Sequence, residues 1–379
     1  MPGPLEGLKV VQVASLAPAP FGCMVLADLG AEVIRVERSG GGDALAVPSG
    51  YLDRGQRSIS VDLKSTEGVE VLLALVEDAD VLVEGFRPGV MERLGVGPEE
   101  CLHRNPRLVY ARLTGYGQDG PMAAAAGHDI NYIAMSGALE PVGRAGERPY
   151  APLNTVADFA GGGFLLAIGV LAALQERHWS RQGQVVDVSM VDGSALLTTF
   201  LHGMESAGLW THERGTNFFD GGAAFYDTYA CADARYVAVG AVEPQFYALL
   251  LDRLGLADAE LPHPFDTDRA EELRAVFAER FRARTRAEWM EVFADVDACV
   301  TPVLSPWEAH EHPHHVARDT FVEVDGRVQP APAPRFSRTP ADVPAPAPDK
   351  LGADTDDLLA GIGLDAAAIA DLRARGIVG

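Results

Sequence analysis

The chain has 379 residues, 47% of them hydrophobic and 22% charged, a composition that supports a large folded core and excludes a disordered or collagen-like class. At that length a single core gives way to two lobes. The formal net charge of −23 argues against nucleic acid and anionic membrane surfaces as general partners, because both demand a basic face, and does not exclude a small polyanion held by a local basic cluster.

In chain order, residues 8–14 (LKVVQVA) read as a buried strand, 18–29 as a helix, and 32–36 as a second strand. Residues 69–79 are helical and lead into a strand at 81–84, and 108–113 form another strand. Strands alternating with helices predict an α/β domain with a mostly parallel, Rossmann-like sheet. Residues 164–176 are apolar almost all round, which suits a helix buried within a lobe, and 184–188 resemble one more strand, followed by a helix from about Asp192. The character changes near Arg214. Residues 225–229 and 236–239 look like an antiparallel pair joined by a turn at 232–234, with helices at 244–254, 269–282 and 286–293. The expected organisation is a large α/β domain at 1–200, a linker at 201–224, and a smaller α+β domain at 225–328. A Pro-rich strap and C-terminal helix at 329–379 then return to the large domain.

The four cysteines, Cys23, Cys101, Cys231 and Cys299, form no C-x-x-C pair and read as buried thiols in a reducing compartment. The first residues lack a secretory pattern, and the longest apolar run, 164–174, is too short to span a bilayer. The expected location is the cytoplasm.

Several segments could carry chemistry. Gly115-Tyr-Gly-Gln-Asp-Gly120 spells G-x-G-x-x-G after a predicted strand, but Pro121 stands where a dinucleotide helix should already run, so a turn or a loop over a ligand is the better reading. Basic residues concentrate early, at Arg35, Arg38, Arg54, Arg57 and Lys64, with Arg87 and Arg93 beyond. They are either a solvated surface or a site for a phosphate-bearing ligand. His128 follows a glycine at a probable helix start, where a catalytic and a structural role are both open, and Asp129 can be a cap for that helix. Asp158 begins the apolar helix and by itself reads as its N-cap, while Gly161 to Gly163 permit close approach of another backbone or a ligand. Glu243 precedes Pro244 at a helix start, which helix-dipole electrostatics alone would explain. His310, His312, His314 and His315 lack the spacing and the partners of a metal site, so no metal is expected.

Together the segments LADLGAEVIRVER, RSISVDLK, FRPGVMERLGVGP, NPRLVYARLTGYGQ, GHDINYIA, ADFAGGG, QVVDVSMVDG, DGGAAFYDTY, VAVGAVEPQFY and DACVTPVL resemble the family III CoA-transferase superfamily of CaiB/BaiF type over nearly the whole chain. Within it they resemble the racemase branch, because the transferases generally lack a His at the position of His128. The resemblance implies an interlocked homodimer and a 1,1-proton transfer that interconverts (2R)- and (2S)-2-methylacyl-CoA thioesters through an enolate. His128 and Asp158 would face opposite sides of the α-carbon, Glu243 would orient and charge His128, and Asn154 and Tyr226 would support the pair. Backbone N–H groups near Asp129 would receive the thioester oxygen. Arg38, Ser60, Val61, Asp62, Leu63, Arg87 and Arg93, with the loop Ala126, Gly127, Ile130 and Asn131, would line the CoA site. No cofactor beyond the CoA of the substrate is implied. The sites would lie between the large lobe of one subunit and the small lobe of the other, with Glu243 from either chain.

The chemistry fits these residue types. Removing the α-hydrogen places charge on the thioester oxygen, where preorganised donors are worth about 3–4 kcal/mol each, and free N–H groups at a helix start supply them. Inversion needs an acid on one face and a base on the other, with pKa values drawn toward working pH. The alternative is a CoA transferase in which Asp158 is the nucleophile and a second carboxylic acid is the acceptor.

Overall fold

Short β-branched runs alternate with apolar-faced helices through the first 190 residues, and in the computed structural model, which describes residues 3–38 and 50–379, they build one parallel sheet. Its strands are β1 (Lys9–Val13), β2 (Glu32–Arg38), β3 (Arg57–Val61), β4 (Val81–Glu84), β5 (Val109–Thr114) and β6 (Gln184–Ser189). They pair in the order β3-β2-β1-β4-β5-β6, parallel throughout. The order reverses between β1 and β4, the switch point beyond whose carboxyl ends open α/β sheets bind ligands. The connecting helices are α1 (Pro18–Asp28), α2 (Thr66–Glu77), α3 (Val90–Arg93), α4 (Pro98–Arg104) and α5 (Asp129–Ser136). A π-helix (Thr155–Phe164) continues directly into α6 (Leu165–Ser180), and α7 (Met190–Leu197) follows β6.

Alternate residues of these strands face opposite sides, and both sides are covered. Val11, Val13, Ile34, Val36, Ile59, Leu82 and Tyr110 share a core with Leu72 and Val76 of α2, while Val10, Val33, Val83 and Ala111 are buried between them in sequence. That is why the strands read as near-continuous apolar runs. Each fully buried side chain of this size contributes about 1.5–3 kcal/mol.

The chain divides into two units. The first takes Met1–Ser136, Leu153–Leu197 and His314–Gly379, and the second Gly137–Pro152 and Thr198–Pro313. The second holds α8 (Thr199–Ser206), β7 (Tyr226–Ala230), β8 (Tyr236–Gly240), α9 (Pro244–Arg253), α10 (Ala270–Phe281), α11 (Arg286–Phe293) and β9 (Val300–Pro302). β7, β8 and β9 form an antiparallel sheet over a core that includes Tyr229, Val237, Leu250, Phe277, Phe281 and Trp289. The closing stretch of the first unit is a hairpin of β10 (Phe321–Val324) and β11 (Arg327–Pro330), then α12 (Thr355–Gly361) and α13 (Ala366–Ala374). Val378 bridges Val61 antiparallel, and the Asp62 N–H donates to the Ile377 carbonyl at 2.7 Å. The chain end thereby covers the outer edge of β3, which would otherwise be an open pairing template.

These boundaries correct the division expected from sequence, and ion pairs give the reason. The excursion 137–152 is tied to the second unit because Arg144 forks onto Asp227 at 2.9 and 3.0 Å, while Arg214 pairs with Glu140 at 3.0 Å. The stretch expected as a linker, 201–224, contains most of α8 and lies in the second unit. The hairpin at 321–330 belongs to the first unit, where Arg54 donates to Gln329 Oε1 at 3.1 Å and to the Pro330 carbonyl at 2.9 Å. None of these contacts has a periodic signature in the sequence.

The same contacts correct the reading of the early basic residues. Arg54 is buried and bidentate to Asp28 at 2.6 and 3.0 Å. Arg35 is buried against Glu37 and Asp53, and Arg57 pairs with Glu32. These three guanidiniums are framework groups.

Candidate active site

Four candidate residues come together in the first unit: His128 and Asp129 at the start of α5, and Asn154 and Asp158 at the start of the π-helix. The π-helix is positioned by bare backbone. A Cβ on Gly161 would lie 2.8 Å from Ser194 N, and one on Gly193 would lie 1.9 Å from the Gly161 carbonyl oxygen, so α7 crosses it at backbone contact. On the other side a Cβ on Gly163 would meet the Pro18 carbonyl of α1 at 2.7 Å. The glycine triplet therefore admits backbone on both sides. A widened turn of this kind recurs at functional sites. Asp158 is thus not the N-cap expected from sequence; it lies inside the helix, and Asn154 holds the cap position.

Asn154 Nδ2 donates to Asp158 Oδ2 at 3.0 Å. Burial raises the Asp158 carboxyl above the usual range; the Asn154 hydrogen bond and nearby His128 oppose that shift, and the charge of Asp129 adds to it. His128 itself is exposed. Its carbonyl accepts from the N–H groups of Asn131 (2.8 Å) and Tyr132 (3.2 Å), and its own N–H donates to Asn131 Oδ1 at 3.1 Å. The Tyr132 hydroxyl donates to the Gly127 carbonyl at 2.5 Å, and a Cβ on Gly127 would come within 2.7 Å of the Tyr132 ring. Tyr116 stacks edge-on against Tyr132. The G-x-G-x-x-G stretch is thus a turn-rich loop without a following helix, and its Tyr116 buttresses the His128 turn.

Asp129 is buried, 4% exposed, and caps a helix other than its own. Its Oδ2 accepts from the N–H groups of Ala157 and Asp158, both at 2.8 Å. The His128 carbonyl takes the N–H groups of Asn131 and Tyr132, which leaves those of Asp129 and Ile130 at the very start of α5 to offer the donors a developing oxyanion requires.

The residues expected around CoA fall into two groups. Arg38, Arg87, Arg93, Ala126, Ile130 and Asn131 are exposed, and Asp62, Leu63 and Gly127 are half-buried. Ser60 and Val61 are buried at the end of β3, with Val61 in the core, which leaves a ligand at most their backbone. The turn carrying Arg87 is braced from beneath: Glu84 accepts from the Phe86 N–H at 2.7 Å and from Arg112 Nε at 2.7 Å, and Arg112 also pairs with Glu92. Leu63 and Arg93 line a pocket of about 450 Å³ together with Lys64, Ser65 and Thr66 at the start of α2. Ser65 and Thr66 carry no distinguishing sequence signal, whereas Lys64 belongs to the basic cluster already noted. A second pocket of about 290 Å³ lies among Arg235, Arg286 and Glu308. Glu308 pairs with both arginines, and hydrogen bonds from Arg286 and Ser305 hold its carboxyl down at about 2.

Glu243 and Tyr226 belong to the second unit. Glu243 is exposed at the N-cap of α9, and Tyr226 opens β7 opposite Gly240, packed against Phe218 and Phe219. Among the described residues no His/Cys/Asp/Glu group has metal-site geometry.

A parallel sheet with a glycine-braced Asp beside a His at helix starts defines a class. The family model for CoA-transferase family III matches residues 5–355, and the chain belongs to that family. Two relatives named alpha-methylacyl-CoA racemase, from Mus musculus and Homo sapiens, are 49% and 46% identical to it over 376 residues, covering 99% of this chain and 97% of theirs. A solved CAIB/BAIF family protein from Brucella suis superposes with a TM-score of 0.84 at 26% identity, over 96% of this chain and all of the other.

Proposed function

We propose that the protein is an acyl-CoA racemase that inverts carbon 2 of 2-methylacyl-CoA thioesters by 1,1-proton transfer. The observation that carries the reading is that Asp129, the residue after His128, accepts the Asp158 N–H at 2.8 Å and so joins the two helix starts, in a chain nearly half identical over its full length to two racemases. One group removes the α-proton, the N–H groups at the start of α5 stabilise the enolate oxygen, and the other group returns a proton to the opposite face. Asn154 keeps Asp158 in place. The roles of Glu243, as the carboxylate that raises the basicity of His128, and of Tyr226 rest on the family resemblance. Arg38, Arg87, Arg93 and Lys64 take the phosphates of CoA, and the reaction draws on no further cofactor.

The test is incubation of single enantiomers of 2-methylacyl-CoA in heavy water without a second acid. Inversion with deuterium uptake is expected. Turnover only on adding a carboxylic acid, with a hydroxylamine-trapped acyl-Asp158, would establish the transferase instead.

The protein works as a cytoplasmic homodimer. Phe164, Ile168 and Leu171 form an exposed stripe along one face of the π-helix and α6, with Trp179 three-quarters exposed further on. The 26-residue helical run 155–180 is long and apolar enough to cross a membrane by length and composition, longer than the apolar run read from sequence because the π-helix extends it. Its inner side packs on α1 and α7, and a second copy is the partner proposed for its outer side. Light scattering should give twice 40.3 kDa, and Ile168→Asp should lower it.

A further inference from the structure

We propose that the Asp129 side chain is a positioning residue for the reaction: it pins the first turn of the π-helix to the start of α5, so that Asp158 stays beside His128. The proposal rests on the racemase reading and deepens it.

Three observations converge. One carboxylate oxygen of Asp129 receives two N–H groups at 2.8 Å, one of them belonging to Asp158 itself. The residue at the π-helix cap position, Asn154, makes no side-chain cap bond and spends its amide on the Asp158 carboxylate. The cap is thus supplied from another element, by the residue joined covalently to His128, so that one peptide link, the Asp129 side chain and one hydrogen bond connect the two reactive residues. The other oxygen of Asp129 is buried with no hydrogen-bond partner among the described residues. A helix cap alone needs no such group, since Ser or Asn at the cap position satisfies the same donors without burying a charge.

The buried charge has a chemical consequence. Burial is the first cause that raises the Asp158 carboxyl, Asp129 adds to it, and the Asn154 amide and His128 oppose it. Beside them Tyr132 is itself raised to about 12, first by burial, with Asp158 adding to the shift and Arg87 opposing it. Asp129 therefore both places Asp158 and keeps its basicity up, which a base that must accept a carbon-bound proton requires.

Asp129→Asn keeps an acceptor oxygen for the two N–H groups and removes the charge. It should leave KM within about twofold, lower kcat about tenfold, and move the acid limb of the rate to lower pH. Asp129→Ala should lose about a hundredfold in kcat. If the Ala variant fails to fold, the Asn variant carries the test. Titration of the Asp158 carboxyl carbon by NMR, identified by its loss in Asp158→Asn, reads the charge effect without any turnover, and the midpoint should fall in Asp129→Asn. An unmoved midpoint and acid limb overturn the proposal while leaving the racemase reading intact. Absence of inversion in the wild type overturns that reading, and the titration still decides on Asp129.

Discussion

Buried and half-buried carboxylates occur in two parts of the first unit, and their partners differ. On the β2–β3 side each has a guanidinium: Asp28 lies in the fork of Arg54, and Glu37 meets Arg35. At the starts of α5 and the π-helix, Asp129 and Asp158 are held by amides and, among the described residues, no guanidinium bonds to either. A carboxylate locked to arginine has its charge compensated and serves the fold. Burial raises the carboxyls of both Asp28 and Asp158, so what separates them is access: Asp28 is closed off in the fork of Arg54, whereas Asp158 is held by a neutral amide and keeps a carboxylate that can exchange a proton. The bonded partner, more than residue type, separates framework from site.

The comparison is broken most directly at the reactive pair. His128→Ala and Asp158→Ala should each lower the inversion rate by about 10²–10⁴-fold with unchanged urea midpoints, because neither residue supports the core. Arg54→Ala should do the reverse: it strands the Asp28 carboxylate in the interior and should cost about 3–5 kcal/mol in urea denaturation, with KM unmoved in the folded fraction. A smaller effect is expected at the exposed basic residues, where Arg93→Ala should raise KM for the thioester about tenfold, or about 1.4 kcal/mol, at constant kcat and stability. The pH profile sharpens the contrast further. Because burial raises the Asp158 carboxyl, activity should fall as pH drops through a value above the ordinary Asp figure of about 3.9.

The parallel sheet was legible because its strands are buried on both faces, which leaves continuous runs such as VVQV at 10–13 and VLV at 81–83. Strand β3 was not, since RSISV at 57–61 carries polar side chains that pair internally, with Ser58 bonded to Glu37. Nor was the π-helix, whose apolar pattern matches that of an α-helix, so Asp158 read as a cap. The unit boundaries follow long-range ion pairs of Arg144, Arg214 and Arg54 that no local pattern announces. His128 and Asp158 were nameable from the motifs around them. The cap that Asp129 lends to the other helix was not, because the two segments lie 29 residues apart and meet only in the folded chain.

Stereochemically resolved proton exchange measures the central claim, that two groups serve opposite faces of one carbon. With either enantiomer of a 2-methylacyl-CoA in heavy water, His128→Ala should wash deuterium into one enantiomer only and Asp158→Ala into the other, far faster than either variant inverts. Equal exchange from both enantiomers in both variants would contradict the account.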